Sequence, residues 1–192
     1  MDTQPSAGGT FVSQGIAANN GVVQTFSGIS GVLASYAYFS SSISAATTGS
    51  FTIQLLDYGT VVPVNSTSQY NGSTTSLFTD TFSLTTTTNK QVYFDLPEAD
   101  QVTLDPTHSY GVYLLFSNAA GSNNVSRSGS DIYSGGGMAV GTAGSFATSF
   151  TSGQRDESFG IYTMVAAPEP STFTMLIGGF GALALKRRRR LA

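Results

Sequence analysis

Apolar and polar residues alternate with a period of two along much of this chain, and this alternation constrains its fold more than any other feature. The pattern is clearest at residues 51–55, 92–96 and 159–162. In residues 92–96, Val92 and Phe94 point to one side of the strand, while Tyr93 and Asp95 point to the other. A period of two places successive side chains on opposite faces of a strand. These stretches are therefore predicted to be half-buried β-strands.

Residues 110–116 are apolar on both faces, which predicts a central strand of a sheet that is covered on both sides. Further candidate strands are residues 21–26, 31–39, 77–84 and 137–140. Turn signals such as Asn71-Gly72 separate them, and no amphipathic helix is found between them. Only 10% of residues are charged, against about 25% in ordinary domains. The fold class predicted is all-β, an antiparallel β-sandwich of the jelly-roll kind, with a barrel as the alternative.

Three chemically distinct segments follow one another near the C-terminus. Pro168, Glu169 and Pro170 form an exposed, extended segment, because proline lacks an N–H donor and restricts the residue before it. Residues 171–185 carry no charge, and as a helix they would span about 22 Å of a hydrocarbon core of about 30 Å. A basic cluster follows, made of Lys186, Arg187, Arg188, Arg189 and Arg190. By the positive-inside rule this cluster predicts a cytoplasmic C-terminus, with the body across the membrane.

This order of segments resembles the PEP-CTERM sorting signal, which combines a Pro-Glu-Pro motif, a short membrane helix and a run of arginines. The resemblance implies recognition by an exosortase, a membrane-embedded protease or transpeptidase, and removal of the tail near Pro168-Glu169-Pro170. It also implies a transient stay in the inner membrane of a Gram-negative bacterium. The body would then reach the cell surface or the extracellular matrix. An unprocessed C-terminal membrane anchor is the alternative.

The chain is expected to comprise five segments. They are a flexible N-terminal segment (1–18), the β-sandwich (19–164), the Pro-Glu-Pro linker (165–170), a single transmembrane helix (171–185) and a basic cytoplasmic tail (186–192). Residues 1–9 have neither the basic nor the apolar region of a secretory leader. Because an exported protein needs a leader, we expect that translation starts upstream of Met1 or that the leader is missing from the sequence.

The charge of the body argues against a nucleic-acid partner. Without residues 171–192 the chain has three basic and eleven acidic residues. A nucleic-acid binder needs Lys and Arg spread over the face that meets phosphate. The absence of cysteine excludes a disulfide framework and cysteine-based metal sites.

The one histidine and the one run of glycines are both predicted to be structural. His108 follows Asp105-Pro106 in a predicted turn, and the chain has no Gly-x-Ser-x-Gly elbow. It is therefore interpreted as a turn residue, with a catalytic base as the weaker alternative. Residues 135–137 lack the Gly-Lys-Ser/Thr of a phosphate loop and are interpreted as a loop or bulge.

Two pairs of nearby carboxylates are the strongest candidates for catalytic chemistry, since glycoside hydrolysis uses two carboxyl groups. The pairs are Glu98 with Asp100 and Asp156 with Glu157. Both lie in polar segments, so we expect solvated charges at loops or strand edges. Asp131, Asp156 and Glu157 are also weak candidates for Ca²⁺, although they form no dense oxygen array. We expect no catalytic residue, no metal and no cofactor.

A second resemblance concerns the order of elements in residues 20–164. The chain is similar to the anchor-associated β-sandwich domains of exported surface proteins from environmental bacteria. The stretches that carry this similarity are 24–26, 51–55, 92–96, 104–106, 109–114, 133–136 and 159–162. It supports the fold and the location, and it implies no ligand.

The function expected is therefore that of a non-enzymatic protein of the surface or extracellular matrix, with a structural or adhesive role in the envelope, exopolysaccharide or biofilm. A carbohydrate-binding module for exopolysaccharide is the main alternative, and a glycosidase or lyase is a weaker one. Sugar binding would use aromatic faces, which six tyrosines offer: Tyr36, Tyr38, Tyr58, Tyr70, Tyr93 and Tyr133. We expect core or edge packing for each of them.

Overall fold

The structure is a computed structural model that describes residues 11–16, 20–43, 49–60, 69–70, 74–84, 88–117, 123–128, 133–142, 150–151, 156–157 and 159–164. This part of the chain is almost entirely strand, with one 3-10 turn at Glu98–Asp100. The strands are β1 (Phe11–Ile16), β2 (Asn20–Ser27), β3 (Gly31–Ile43), β4 (Gly49–Asp57), β5 (Gln69–Tyr70), β6 (Thr75–Leu84), β7 (Thr88–Asp95), β8 (Val102–Leu104), β9 (Ser109–Ser117), β10 (Asn123–Ser128), β11 (Met138–Thr142), β12 (Phe150–Thr151) and β13 (Phe159–Met164).

One sheet has five antiparallel strands in the order β11-β2-β9-β4-β6. Strand β9 lies in the middle of it, as its two apolar faces predict. Val112 and Leu114 are buried in the main core, while Tyr113 between them is buried on the opposite face. The continuous apolar run thus reflects a strand with neighbours on both edges and cover on both faces.

The second sheet has six strands and is organised around the 13-residue strand β3. Strands β10 and β13 pair with one edge of β3, and β7 and β8 pair with the other. Strand β1 extends the sheet beyond β10. A separate two-stranded sheet joins β5 to β12.

The main core lies between the two large sheets. Phe26 and Leu114 of the five-stranded sheet belong to the same buried cluster as Leu33, Tyr36 and Ile161 of the six-stranded sheet. Because one cluster includes residues from both sheets, the sheets pack face to face as a sandwich. The predicted all-β, antiparallel architecture is confirmed.

The alternation in strand β7 and just after it has the predicted orientation. Phe94 and Leu96 are buried in the main core, whereas Tyr93 and Asp95 are exposed on the outer face of the six-stranded sheet. The outer face of the five-stranded sheet differs, because it carries a second buried cluster. Its members are Val23, Leu56, Tyr58, Tyr113 and Ala139.

The loop before β11 is bound to β2 by hydrogen bonds. The Thr25 hydroxyl donates to the Gly137 carbonyl at 3.1 Å, and the Ser27 hydroxyl donates to the Gly135 carbonyl at 2.7 Å. A side-chain methyl at Gly136 would overlap the backbone of Thr25. The predicted loop at residues 135–137 is confirmed, and its middle glycine allows the close approach of the two backbones.

Two expectations at the chain ends have different outcomes. Residues 11–16, expected to lie in a flexible segment, form β1 and pair with β10 in a regular antiparallel register. The backbone hydrogen bonds that β10 offers at its free edge account for this added strand. The predicted membrane helix at 171–185 lies outside the described residues. No helix in the described part of the chain is long and apolar enough to cross a membrane.

Candidate functional site

The last strand brings the folded body directly to the predicted sorting segment. Strand β13 pairs with β3 from Phe159 to Met164, and its residues Phe159 and Ile161 are buried in the main core. Met164, the last residue of the strand, is 48% exposed. The predicted sorting residues Pro168, Glu169 and Pro170 and the basic cluster at 186–190 lie outside the described residues. The body therefore ends in a well-packed strand only four residues before Pro168.

Just before β13, two carboxylates enter the interior of the sandwich. Asp156 and Glu157 are both 0% exposed, and Glu157 forms an isolated antiparallel bridge with Arg127 of β10. The backbone N–H of Ser128 donates to the Asp156 carbonyl at 2.7 Å. The expectation that these residues are solvated charges at a strand edge is wrong. The backbone bridge between Glu157 and Arg127 of β10 holds this segment inside the sandwich.

Asp156 is held by donors from two distant parts of the chain. Its Oδ1 accepts a hydrogen bond from Gln24 Nε2 at 3.3 Å, and its Oδ2 accepts one from the Tyr133 backbone N–H at 2.8 Å. Gln24, also fully buried, accepts the backbone N–H of Glu157 through Oε1 at 2.7 Å. Buried polar groups need such partners, because an unpaired one costs free energy. Gln24 thus connects the five-stranded sheet to the segment that leads into β13.

Glu157 has a different environment. Its Oε2 accepts the hydroxyl of Tyr36 at 3.0 Å, while Oε1 has no hydrogen-bond partner among the described residues. Burial raises the pKa of Glu157 to about 8, and the hydrogen bond from Tyr36 opposes this rise. Burial and the negative charge of Glu157 also raise the pKa of Tyr36 well above its usual value. A carboxyl group in so apolar a site is held in its neutral form at neutral pH.

The other carboxylate pair behaves as the sequence predicts. Glu98 and Asp100 lie in the 3-10 turn between β7 and β8, and both are exposed. Asp131, a weak Ca²⁺ candidate, lies outside the described residues. Within the described ranges, no group of three or more His, Cys, Asp or Glu residues comes together in a way that could hold a metal ion.

His108 lies at the end of a tight turn and pairs with a carboxylate from another strand. Its Nδ1 is 3.0 Å from Oδ2 of Asp57, at the end of β4. Asp105 forms the turn by accepting the backbone N–H of Thr107 at 2.8 Å and its hydroxyl at 2.7 Å. These two hydrogen bonds lower the pKa of Asp105. The predicted turn is confirmed, while the partner Asp57 lies 51 residues away and was not predicted.

The tyrosines proposed for sugar binding separate into buried and exposed groups. Tyr36, Tyr38 and Tyr58 are buried, Tyr133 is half-buried, and the side chain of Tyr70 lies outside the described part. Tyr93 is 54% exposed. Its ring centroid lies 5.9 Å from that of Tyr162, with an angle of 45° between the ring planes. Tyr162 was not among the six candidates, although its alternation with Ile161 predicts that it points outward.

The fold and the chain that follows it define a protein whose all-β body leads at once into a C-terminal sorting segment. The model of the PEP-CTERM protein-sorting motif matches residues 166–190. This match includes Pro168-Glu169-Pro170 and the basic cluster, and it confirms the resemblance found in the sequence. The motif is a membrane-anchoring signal of exported proteins directed to the cell surface, and it implies recognition by the membrane protein exosortase.

Other comparisons add nothing about the body. No curated protein matches the chain. A match among solved structures is the structure of infectious bursal disease virus Gx strain, with 15% identity and a TM-score of 0.19. It covers 100% of this chain and 47% of that chain. A similarity of this size supports no conclusion about fold or function.

Proposed function

We propose that this protein is a non-enzymatic component of the cell surface or extracellular matrix, with a structural or adhesive role in the envelope, exopolysaccharide or biofilm. The observation that carries the proposal is the direct succession of a packed all-β body and a PEP-CTERM motif. In this scheme residues 171–185 hold the chain transiently in the inner membrane of a Gram-negative bacterium. Exosortase then removes the tail near Pro168-Glu169-Pro170.

The order of the strands supports the jelly-roll form of the sandwich. Four strands run β1-β10-β3-β7 in one sheet, and four run β2-β9-β4-β6 in the other. Numbered from one to eight along the chain, these strands have the orders 1-8-3-6 and 2-7-4-5, as expected for a double Greek key. Strands β8, β11 and β13 are additions to this arrangement. A jelly roll offers a rigid body, which suits a structural component.

The buried carboxylates also favour a structural role over the weaker proposal of a glycosidase or lyase. Glycoside hydrolysis needs two carboxyl groups on either side of a bound sugar. Asp156 already accepts hydrogen bonds from Gln24 and Tyr133, and Glu157 accepts one from Tyr36. These contacts join strands that are distant in sequence. They support a role for both carboxylates in holding the fold together.

The test compares surface attachment and matrix formation in four strains of the host bacterium. One is wild type, one lacks the gene, and two carry either the native gene or a variant with Pro168→Ala, Glu169→Gln and Pro170→Ala. We expect the deletion to lower attachment, and the native gene but not the tail variant to restore it. Attachment that is unchanged by the deletion would contradict the structural or adhesive role.

A second candidate function is carbohydrate binding, and the exposed Tyr93 with the half-buried Tyr162 beside it specifically favours it. Exposed aromatic side chains with nearby polar groups are common in ligand sites. Retention of the protein on immobilised exopolysaccharide tests this candidate. Elution of the protein from the immobilised exopolysaccharide without retention would count against this candidate.

A further inference from the structure

The outer face of the six-stranded sheet has an unusual composition at its centre. Strands β13, β3 and β7 lie side by side there, and two cross-strand rows face outward. The first row is Gly160, Ala37 and Tyr93, and the second row is Tyr162, Ser35 and Asp95. We call these six residues the outer tyrosine site. Small residues form its floor, and the two tyrosines stand at opposite corners of it.

The two tyrosines cover the floor between them. The ring of Tyr162 lies over Gly160, so that a side-chain carbon there would be 3.2 Å from the Tyr162 ring and hydroxyl. From this position the ring reaches Tyr93 on the far side of β3, across Ala37. Ala37 is 0% exposed although it points outward, as expected for a residue under this pair. The site therefore presents the ring of Tyr93 to solvent, with the half-buried ring of Tyr162 beside it at an angle of 45°.

Two polar side chains belong to the second row, one buried and one exposed. The side chain of Ser35 is in the second row, is only 9% exposed, and its Oγ has no hydrogen-bond partner among the described residues. This hydroxyl is shielded from solvent, so Ser35 belongs to the closed floor of the site and is not a contact for a ligand. Asp95, exposed on the next strand, adds a carboxylate that accepts hydrogen bonds from ligand hydroxyl groups.

The charges of the site favour a neutral ligand. Asp95 is the one charged residue in the two rows, and no Lys or Arg lies in them. An anionic ligand would be repelled by Asp95 without a compensating cation. The site thus combines aromatic faces with a single exposed carboxylate. A pyranose ring has the matching chemistry, with apolar C–H faces and hydroxyl groups at its edge.

We propose that the outer tyrosine site binds neutral pyranose units of a polysaccharide. Tyr93 stacks on the C–H face of one sugar ring, while Tyr162 contacts the neighbouring edge or unit. Asp95 accepts hydrogen bonds from sugar hydroxyl groups. This inference deepens the second function proposed above and rests on it, because it names the surface and the class of sugar.

Full-length protein in a mild detergent is titrated with neutral hexasaccharides of glucose and xylose, and with an oligouronate as the anionic comparison. Because the chain has no Trp, tyrosine fluorescence can be followed without interference from tryptophan, and affinity electrophoresis in polysaccharide gels gives an independent measure of binding. We expect a neutral sugar to bind and the oligouronate to bind more weakly. Tyr93→Ala should weaken binding roughly tenfold, in line with the loss of about 1.4 kcal/mol of aromatic stacking.

Tyr93→Phe should keep most of the binding, because the stacking face remains. Val140→Ala is the matched control, since Val140 is 40% exposed on the five-stranded sheet. Equal affinity of Tyr93→Ala and wild type, or no binding of any neutral sugar, would overturn the inference. So would sedimentation that reveals a dimer which Tyr93→Ala dissociates, because the face would then join two copies of the chain. Export and tail removal are measured in the same variants, so a failure of sorting is distinguished from a failure of sugar binding.

Discussion

Two regions of this sandwich place carboxylates in opposite environments, one buried and one open to water. Asp156 and Glu157 lie fully inside it, before the last strand, whereas Asp57 and Asp105 lie at a turn that water reaches. The inner pair connects β2, β3 and β10 to the start of β13. The outer pair organises a turn and one histidine. Burial, and not the carboxyl group itself, is therefore expected to determine how much each carboxylate contributes to the free energy of unfolding.

The largest expected effect concerns the proton on Glu157. Its pKa in the folded chain is about 8, above the ordinary value of 4.5, so between these pH values the folded chain holds a proton that the unfolded chain has lost. The stabilisation that this proton gives to the folded chain is therefore fully present below pH 4.5, and it is lost as the pH rises through 8. The loss amounts to about 5 kcal/mol across this range.

Glu157→Gln removes this titration and keeps an acceptor for the Tyr36 hydroxyl. Urea denaturation of the full-length chain in detergent, repeated from pH 4.5 to 8.5, measures the difference between the two proteins. The variant should become more stable than wild type as the pH rises. Glu98→Gln, at an exposed glutamate, is the matched control and should follow wild type. A constant difference between Glu157→Gln and wild type at every pH would contradict the account.

The next effect is the removal of the second inner carboxylate. Asp156→Ala removes one of the two acceptors of Gln24 Nε2, which also donates to the Thr25 carbonyl at 3.0 Å, and it leaves the N–H of Tyr133 without its acceptor. It should lower the free energy of unfolding by about 3 kcal/mol. Denaturation at pH 6 measures the loss, with Asp100→Ala in the exposed 3-10 turn as the control. A loss no larger than that of the control would mean that Asp156 does not join the sheets.

The smallest effect is expected in the outer region. The side chains of His108 and Asp57 are 32% and 19% exposed, so solvent screens their interaction. Exposed ion pairs contribute about 0–1 kcal/mol, and His108→Ala should lower stability by no more than this. The same denaturation series provides the measurement. If the cost equalled that of Asp156→Ala, the contrast between the two regions would disappear.

The sequence predicts the strands of the two sheets, but it does not predict that the inner carboxylates are buried. The alternation of Phe94 and Leu96 with Tyr93 and Asp95 is a local pattern, and it survives in the fold because neighbouring strands set the same period. The apolar run at 110–116 likewise predicts the central strand of its sheet. Such signals need no knowledge of the partner strand.

The burial of Asp156 and Glu157 follows from contacts that no local pattern encodes. Gln24 lies 132 residues from Asp156, and Tyr36 lies 121 residues from Glu157. Around them the sequence is polar and is typical of a solvated loop. The one available signal was Gln24 itself, a polar residue between apolar neighbours on the inward face of β2. The sorting motif, by contrast, is contiguous, so its residues could be identified from sequence alone.

The central claim is that the tail sorts the folded body out of the cell. The most direct measurement is the mass and location of the mature protein in a host that has exosortase and in a matched host that lacks it. The account predicts a protein shortened near Pro168-Glu169-Pro170 at the surface or in the medium of the first host, and both features lost in the second. A full-length chain in the membrane of both hosts would contradict it and would leave an ordinary membrane-anchored domain.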